Sequence, residues 1–203
     1  MSKYHTARKL LTAVPFGPDE LSYGPAVLEE GEEYADLPPC PRVLVIVDVQ
    51  EEFNVAIKFD TRAFLAWLRK CSEAGTEFHI VYDELGDEPG MFAELGPTYY
   101  AKCYGADPYE GVVNKETGEE VDASEAEDGV IYHDPAARLD IFLSSGHEWQ
   151  HVYPDMVELA DALRGRSDVV LVGGAANECL RDMTHWLDIS GIDYRLEQEF
   201  VYG

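Results

Sequence analysis

Apolar side chains along the chain follow first a strand pattern and then a helix pattern, and this order repeats. Residues 43–49 are apolar and mostly β-branched, broken only by Asp48, as is typical of a strand covered on both faces. A helical face follows, after Asp60 or Thr61 as N-cap, with apolar side chains three or four positions apart: Phe64, Trp67, Leu68 and Cys71. Residues 78–82 form the next apolar run. Strand, helix and strand in this order predict a right-handed parallel crossover.

The C-terminal part of the chain repeats the pattern. The predicted elements are a short strand over 130–133, a helix over 155–164, a buried strand over 169–172, a helix over 178–189 and a last strand over 193–197. Gly165 and Gly191 directly follow the two helices, as glycine often does. The whole pattern predicts an α/β fold, a doubly wound and mainly parallel sheet with helices on both faces in three α/β/α layers.

Two stretches do not fit this alternation. Residues 1–41 are punctuated by proline and glycine and carry an acidic run, so they are interpreted as an N-terminal arm in front of a single domain over 42–203. Residues 84–128 are rich in glycine, proline and acid, and their stretch 116–128 contains seven carboxylates. We interpret 84–128 as a loop insertion whose acidic stretch is solvated.

Charge and composition narrow the classes of partner. With 40 Asp and Glu against 15 Lys and Arg, the formal net charge is −25, which disfavours nucleic acid and anionic membranes and leaves a small-molecule substrate. Because the chain has neither a signal-like start nor an apolar run of about 20 residues, a cytoplasmic protein is expected. The four cysteines lie far apart, so reduced thiols are expected: Cys40, Cys71, Cys103 and Cys179.

Candidate chemistry lies at the carboxyl ends of the predicted strands, where open parallel sheets bind their ligands. Asp48 ends the first strand, where a lone carboxylate is costly to bury unless it has a partner or a catalytic role; an ordinary hydrogen-bonded aspartate is the alternative. Cys179 follows a strand and a run of small residues into the first turn of a helix. Such a position favours the thiolate, although a free cysteine there could also be core packing.

Together these two segments resemble one family. Residues 48–53, Asp-Val-Gln-Glu-Glu-Phe, resemble Asp-x-Gln-x-x-Phe, and residues 173–179, Gly-Gly-Ala-Ala-Asn-Glu-Cys, resemble Gly-x-Ala-Thr-Asp-x-Cys. Both patterns belong to the isochorismatase-like cysteine hydrolases, which include nicotinamidases, N-carbamoylsarcosine amidases and ureidoacrylate amidases. The resemblance runs from about residue 42 to the C-terminus and implies a hydrolase that cleaves a C–N bond of amide type through an acyl-enzyme.

The resemblance also implies roles for individual residues. Asp48 would be the base and Cys179 the nucleophile, with the N–H groups of Ala175 and Cys179 as an oxyanion hole beside a cis peptide at Gly174–Ala175. The implied substrate-binding residues are Gln50, Phe53, Gly174 and Asn177. A homo-oligomer is expected by analogy only.

The family's third catalytic residue is a lysine after the short strand that follows a long loop. We assign this position to His133, and the nearest other cations in the sequence are Arg138 and Lys102. A histidine can supply a positive charge when it lies near a carboxylate, or it can act as the base for the cysteine. The alternative is a catalytically altered relative that only binds a ligand or partner.

Metal chemistry has two candidate locations in the sequence. Residues 83–89 correspond to the metal site of the nicotinamidases but contain no histidine, so no metal and no cofactor are expected. A remote alternative is a zinc hydrolase, because His147, Glu148 and His151 spell H-E-x-x-H. Pro154 follows directly, which is a poor context for the helix that this motif requires.

Overall fold

The computed structural model describes most of the chain from residue 36 onward. The described residues are 34, 36–50, 57, 59–83, 90–102, 107–108, 111–144, 146 and 148–203. Most of the arm predicted over 1–41 therefore lies outside the described residues, as do Phe53, Cys103 and His147.

Two five-stranded sheets and three α-helices make up the described fold, which confirms a mixed α/β class. The first sheet contains β1 (Val43–Val47), β2 (Glu77–Asp83), β3 (Thr98–Lys102), β9 (Val169–Gly174) and β10 (Arg195–Tyr202). The second contains β4 (Val112–Asn114), β5 (Glu120–Val121), β6 (Ile131–Asp134), β7 (Leu139–Leu143) and β8 (Trp149–His151). The helices are α1 (Thr61–Ala74), α2 (Pro154–Leu163) and α3 (Cys179–Ile189).

The first sheet is parallel throughout, in the order β10-β9-β1-β2-β3. Its central strand β1 is buried on both faces, as the unbroken apolar run predicts. Leu44 and Ile46 pack in the core that contains α1, whereas Val43, Val45 and Val47 pack in the core that contains α2 and α3. Each such side chain contributes roughly 1.5–3 kcal/mol by leaving water. Helices therefore cover both faces of this sheet.

Helix α1 begins and ends where its sequence allows. The side chain of Asp60 accepts hydrogen bonds from the N–H groups of Arg62 and Ala63, at 2.9 and 3.0 Å, which contributes roughly 1 kcal/mol. Gly75 ends the helix with a φ of 84°, a conformation that glycine adopts without a steric cost. The helix thus extends three residues beyond the predicted face that ends at Cys71.

The second sheet is the main departure from the predicted fold. It is antiparallel, in the order β5-β4-β6-β7-β8, and lies in the chain between β3 and α2. The stretch interpreted as a solvated loop contains β5 and part of the hairpin that joins it to β4, and the strand predicted over 130–133 pairs in this sheet instead of the parallel one. Its own small core lies apart from the two main ones: Val112, Tyr132, Ile141, Leu143 and Trp149.

Strand β3 is an edge strand of the first sheet within the described part of the chain. Its Ala101 N–H donates a 2.9 Å hydrogen bond to Oδ2 of Asp155, which lies in the first turn of α2. Helix α2, which follows the last strand of the second sheet in the chain, is therefore hydrogen-bonded to the edge of the first sheet. No helix in the described ranges is long and apolar enough to cross a membrane.

Candidate active site

Asp48 lies at the carboxyl end of β1, at the centre of the parallel sheet. Its side chain is 0% exposed, and its backbone has a φ of 50°, a left-handed conformation that aspartate enters more readily than most residues. The Asp48 N–H donates to Val81 O at 2.9 Å, and Tyr202 Oη donates to Asp48 O at 2.6 Å. Hydrogen bonds to two other strands, one to a backbone oxygen and one from a side-chain hydroxyl, therefore hold the backbone of Asp48 in place.

Lys102 is the cation that pairs with Asp48. It ends β3, and its Nζ lies 2.6 Å from Oδ2 of Asp48, with only 9% of the lysine side chain exposed. The two residues meet because the neighbouring strands β1, β2 and β3 all run in the same direction, which brings their carboxyl ends to one edge. From the sequence Lys102 is only one of the nearest other cations, but in the structure it lies against Asp48, where we expected His133.

His133 lies elsewhere, on β6 of the antiparallel sheet. Its Nδ1 is 3.0 Å from Oδ1 of Asp140, and Lys115 Nζ is 2.7 Å from Oδ2 of the same aspartate. With 41% of its side chain exposed, His133 belongs to a surface ion-pair group. Arg138 lies in the exposed turn between β6 and β7. The structure therefore brings neither His133 nor Arg138 against Asp48, because both belong to the inserted sheet.

Cys179 is the first residue of α3 and interacts with both members of the ion pair. Burial and the neighbouring Asp48 carboxylate raise the pKa of the Cys179 thiol to about 11, although Lys102 acts in the opposite direction. From the sequence, the start of a helix is expected to favour the thiolate. Burial outweighs that effect here, so the resting protein carries a neutral thiol at neutral pH.

The ion pair has its own balance of burial and charge. Burial raises the pKa of Asp48 above its ordinary value, against the opposing effect of Lys102. Burial alone would lower the pKa of Lys102, but its electrostatic and hydrogen-bond interactions with Asp48 and Cys179 raise it overall. Oδ1 of Asp48 is buried and accepts no hydrogen bond of standard geometry from the described residues. A carboxylate with a raised pKa and a free buried oxygen, next to a thiol, is a suitable proton acceptor.

The chain between β9 and α3 positions backbone donors beside Cys179. The peptide bond at Gly174–Ala175 is cis, as the family resemblance implies. Ala175 O accepts hydrogen bonds from the N–H groups of Glu178 and Leu180, both at 3.0 Å. In contrast, the N–H groups of Ala175 and Cys179 donate to no backbone acceptor within the described ranges.

Two glycines allow this loop to lie so close to its neighbours. A β-carbon on Gly173, whose φ is 104°, would collide with the carbonyl oxygen of Val47. A β-carbon on Gly174 would lie 2.5 Å from the ring of Tyr202. Tyr202 also accepts a 2.7 Å hydrogen bond from Ala176 N–H through its backbone oxygen. The end of β10 therefore supports both the loop and Asp48.

The remaining predicted binding residues have different environments. Gln50 is buried and its Oε1 accepts a 2.7 Å hydrogen bond from Asp83 N–H, so it orders the end of β2, while its Nε2 is buried without a hydrogen-bond partner among the described residues. Gly174 contacts Tyr202, and Asn177 is exposed in the loop before α3. The prediction for Phe53 falls outside the described residues.

From the sequence, Lys102 is only one of the cations nearest to the position assigned to His133, and Tyr202 has no assigned role. The available signal for Lys102 was its place after Tyr99-Tyr100-Ala101, a short apolar stretch that ends in a cation just as β1 ends in a carboxylate. Tyr202 supports the site by donating a hydrogen bond to the backbone oxygen of Asp48, 154 residues earlier in the chain. No local sequence pattern predicts such a long-range contact.

The zinc motif does not have the geometry that it requires. Trp149–His151 is strand β8, whereas H-E-x-x-H needs a helix to place its two imidazoles on one face. His147 is not among the described residues, and those that are described include no cluster of three or more His, Cys, Asp or Glu able to hold a metal ion.

The raised pKa of Cys179 makes its alkylation strongly dependent on pH. We expect the rate with iodoacetamide to rise about tenfold per pH unit from about pH 7 to about pH 9, because the thiolate fraction grows by that factor well below a pKa of about 11. Mass spectrometry of the peptide that contains Cys179 measures this rate. A rate that levels off below about pH 8.5, the pKa of an ordinary thiol, would contradict the described environment.

Comparison with protein-family models, with curated proteins and with solved structures found no match to this chain.

Proposed function

We propose that this protein is a cysteine hydrolase that cleaves a C–N bond of amide type in a small molecule, with the isochorismatase-like doubly wound fold as its scaffold. One observation carries the proposal, the buried Asp48–Lys102 ion pair in contact with Cys179 at the carboxyl edge of the parallel sheet. A base, a cation and a nucleophile on three separate elements form the grouping that nucleophilic catalysis requires.

Acylation begins with the neutral thiol of Cys179. As its sulfur attacks the amide carbon, the thiol proton moves to Asp48, whose raised pKa suits it to accept that proton. The developing oxyanion is stabilised by the N–H groups of Ala175 and Cys179, which have no backbone acceptor among the described residues. When the C–N bond breaks, Asp48 returns the proton to the leaving nitrogen, and a thioester on Cys179 remains.

Deacylation uses the same residues in reverse. Asp48 accepts a proton from a water molecule, whose oxygen attacks the thioester carbon. The C–S bond then breaks, the acid leaves and the sulfur takes up the proton. Throughout both steps Lys102 keeps its charge, orients Asp48 through their 2.6 Å contact and stabilises negative charge on the sulfur.

The alternative of a binding-only relative rested on the apparent loss of the family's lysine. Lys102 supplies a buried cation beside Asp48 and Cys179, so that argument no longer favours the alternative. The strongly acidic composition and the free thiols among the described residues suit a cytoplasmic enzyme that acts on a small molecule.

Formation and turnover of a thioester test the proposal. The protein is incubated with a panel of small primary amides and with p-nitrophenyl acetate as a generic acyl donor, and both product release and the mass of the protein are followed. We expect turnover and an acyl adduct on Cys179 in the unsubstituted protein and neither on that residue in the Cys179→Ala variant. Cys71→Ala is the matched control, because Cys71 is a buried residue of α1 in the core and its replacement should leave turnover unchanged. A Cys179 that forms no adduct, or one that forms an adduct that is never hydrolysed, would refute the proposal.

A further inference from the structure

Two cysteines lie against each other at the amino edge of the parallel sheet. Cys40 lies just before β1, at the end of the predicted N-terminal arm, and Cys71 lies in the last turn of α1, which leads into β2. Both are free thiols, and their side chains share a hydrogen bond. Because β1 is five residues long, this edge lies about 16 Å from Asp48 at the carboxyl edge. The pair is therefore separate from the proposed hydrolase site.

Hydrogen bonds on both sides of the pair hold its two segments together. Trp67 Nε1 donates to Pro38 O at 3.0 Å, and Thr76 Oγ1 donates to Pro41 O at 2.7 Å. In the sequence, one cysteine lies between the two carbonyl groups and the other lies between the two donors. Both prolines are buried, and the ring of proline fixes φ. The contact between the two thiols is thus part of an ordered packing of the arm against α1.

The two thiols differ in access to solvent. Cys71 is 0% exposed, whereas Cys40 is half-buried and packs on the outside of the same core. Burial and the neighbouring Cys40 raise the pKa of the Cys71 thiol well above its ordinary value. A small oxidant can therefore reach Cys40 but not Cys71. A reachable cysteine next to a buried partner is the arrangement of a reacting and a resolving thiol.

We propose that Cys40 and Cys71 form a reversible disulfide when the protein meets a peroxide, and that this bond fixes the segment Pro38–Pro41 to α1. The sulfur of Cys40 attacks one oxygen of hydrogen peroxide, so an S–O bond forms, the O–O bond breaks and water leaves with the thiol proton. The sulfur of Cys71 then attacks the sulfenic acid on Cys40. The S–S bond forms, the S–O bond breaks and the Cys71 proton leaves in a second water.

Two electrons thus pass from the two thiols to the peroxide. Two molecules of a thiol reductant return them and leave as a disulfide of their own. Reduced thiols remain the resting state in a cytoplasmic protein, where disulfides are usually transient and respond to oxidants. The bond also closes a loop that contains β1 and most of α1, so oxidation ties the arm to the first strand and helix of the sheet.

Disulfide mapping after treatment with hydrogen peroxide tests the proposal. The whole chain is oxidised at neutral pH, its remaining thiols are blocked with N-ethylmaleimide in denaturant, and it is digested without reductant. By mass spectrometry we expect the peptides of Cys40 and Cys71 to be joined at least about tenfold more often than either is joined to Cys103 or Cys179, because a disulfide needs neighbouring cysteines. A main link to Cys103 or Cys179, a sulfinic acid on Cys40 beside reduced Cys71, or no oxidation of either would overturn the proposal.

Single substitutions test the order of the two steps. In Cys71→Ala the sulfenic acid on Cys40 has no partner, so dimedone should label Cys40 at least about tenfold more than in the unsubstituted chain. In Cys40→Ala dimedone should leave Cys71 unlabelled, because the peroxide cannot reach a fully buried thiol. Labelling of Cys71 in Cys40→Ala, or an unlabelled Cys40 in Cys71→Ala, would contradict the assigned roles.

The stability of the oxidised chain tests the attachment of the arm. The Cys179→Ala background is used, so that oxidation of Cys179 does not contribute. The oxidised chain should unfold at a urea concentration about 1 M higher than the reduced chain, because the closed loop restricts the unfolded state. Adding Cys71→Ala should abolish this shift, and equal midpoints in both redox states would refute the attachment. Since no substrate takes part, a chain without hydrolase activity tests this pair equally well.

Discussion

The Lys102→Met variant should lose about 3–5 kcal/mol of unfolding free energy, because Asp48 then remains as a buried carboxylate without a counterion. Methionine preserves most of the length and apolar stem of lysine, so the loss of charge is the dominant change. Asp48 lies at the centre of the sheet and its side chain is fully buried, which leaves water no access to solvate the charge. Urea unfolding at neutral pH measures the difference.

Two further variants separate the ion pair from general effects of substitution. His133→Ala removes a half-exposed partner of Asp140 and should cost less than about 1 kcal/mol. The double variant Asp48→Asn with Lys102→Met removes both charges and should recover much of the stability that Lys102→Met loses. If His133→Ala were as destabilising as Lys102→Met, Lys102 would not be the cation that stabilises the buried charge of Asp48.

Asp48→Asn should have opposite effects on the reactivity of Cys179 and on turnover. An amide cannot accept the proton of the thiol or of water, so deacylation of a thioester should slow by about 10²–10⁴-fold, the usual contribution of a general base. The pKa of the Cys179 thiol should fall below about 11, because the repulsion by the Asp48 carboxylate disappears. Alkylation by iodoacetamide at neutral pH should therefore become faster while hydrolysis is lost.

These two readouts distinguish a base from a structural residue. The measurements are the decay of the acylated protein by mass spectrometry and the pH profile of alkylation at Cys179. Asp140→Asn is the matched control, since it makes the same chemical change at an aspartate on the antiparallel sheet and should alter neither readout. A parallel decrease of alkylation and turnover in Asp48→Asn would indicate a disrupted site and would contradict the role of Asp48 as base.

The parallel sheet could be predicted because its strands are buried on both faces. β1 and β9 contain unbroken runs of Val, Leu and Ile, which are typical of strands in a parallel sheet. Helices α1 and α3 show apolar positions at helical spacing. Asp48 and Cys179 could be singled out for the same reason, since each directly follows a buried strand or the loop after one. The position of reactive residues thus followed from the pattern of the core.

The antiparallel sheet could not be predicted in this way. Its strands have two to five residues, and β5 places only Glu120 and Val121 in the sheet, so no apolar run distinguishes them from loops. Because β5 lies within the acidic stretch 116–128, we interpreted it as part of a solvated loop. The assignment of the cation to His133 has the same origin, because we looked for a cation after the acidic stretch, whereas β3 and Lys102, the residue that pairs with Asp48, precede it.

The hydrogen bond between Ala101 and Asp155 has a consequence for how copies of this protein meet one another. An edge strand offers a row of unpaired N–H and C=O groups to which a strand of another molecule can add, and such addition begins aggregation. The Asp155 carboxylate takes one of these N–H groups and places a negative charge at the edge, next to the residue that pairs with Asp48. The contact that holds β3 in place thus also disfavours the addition of a strand from another molecule to β3.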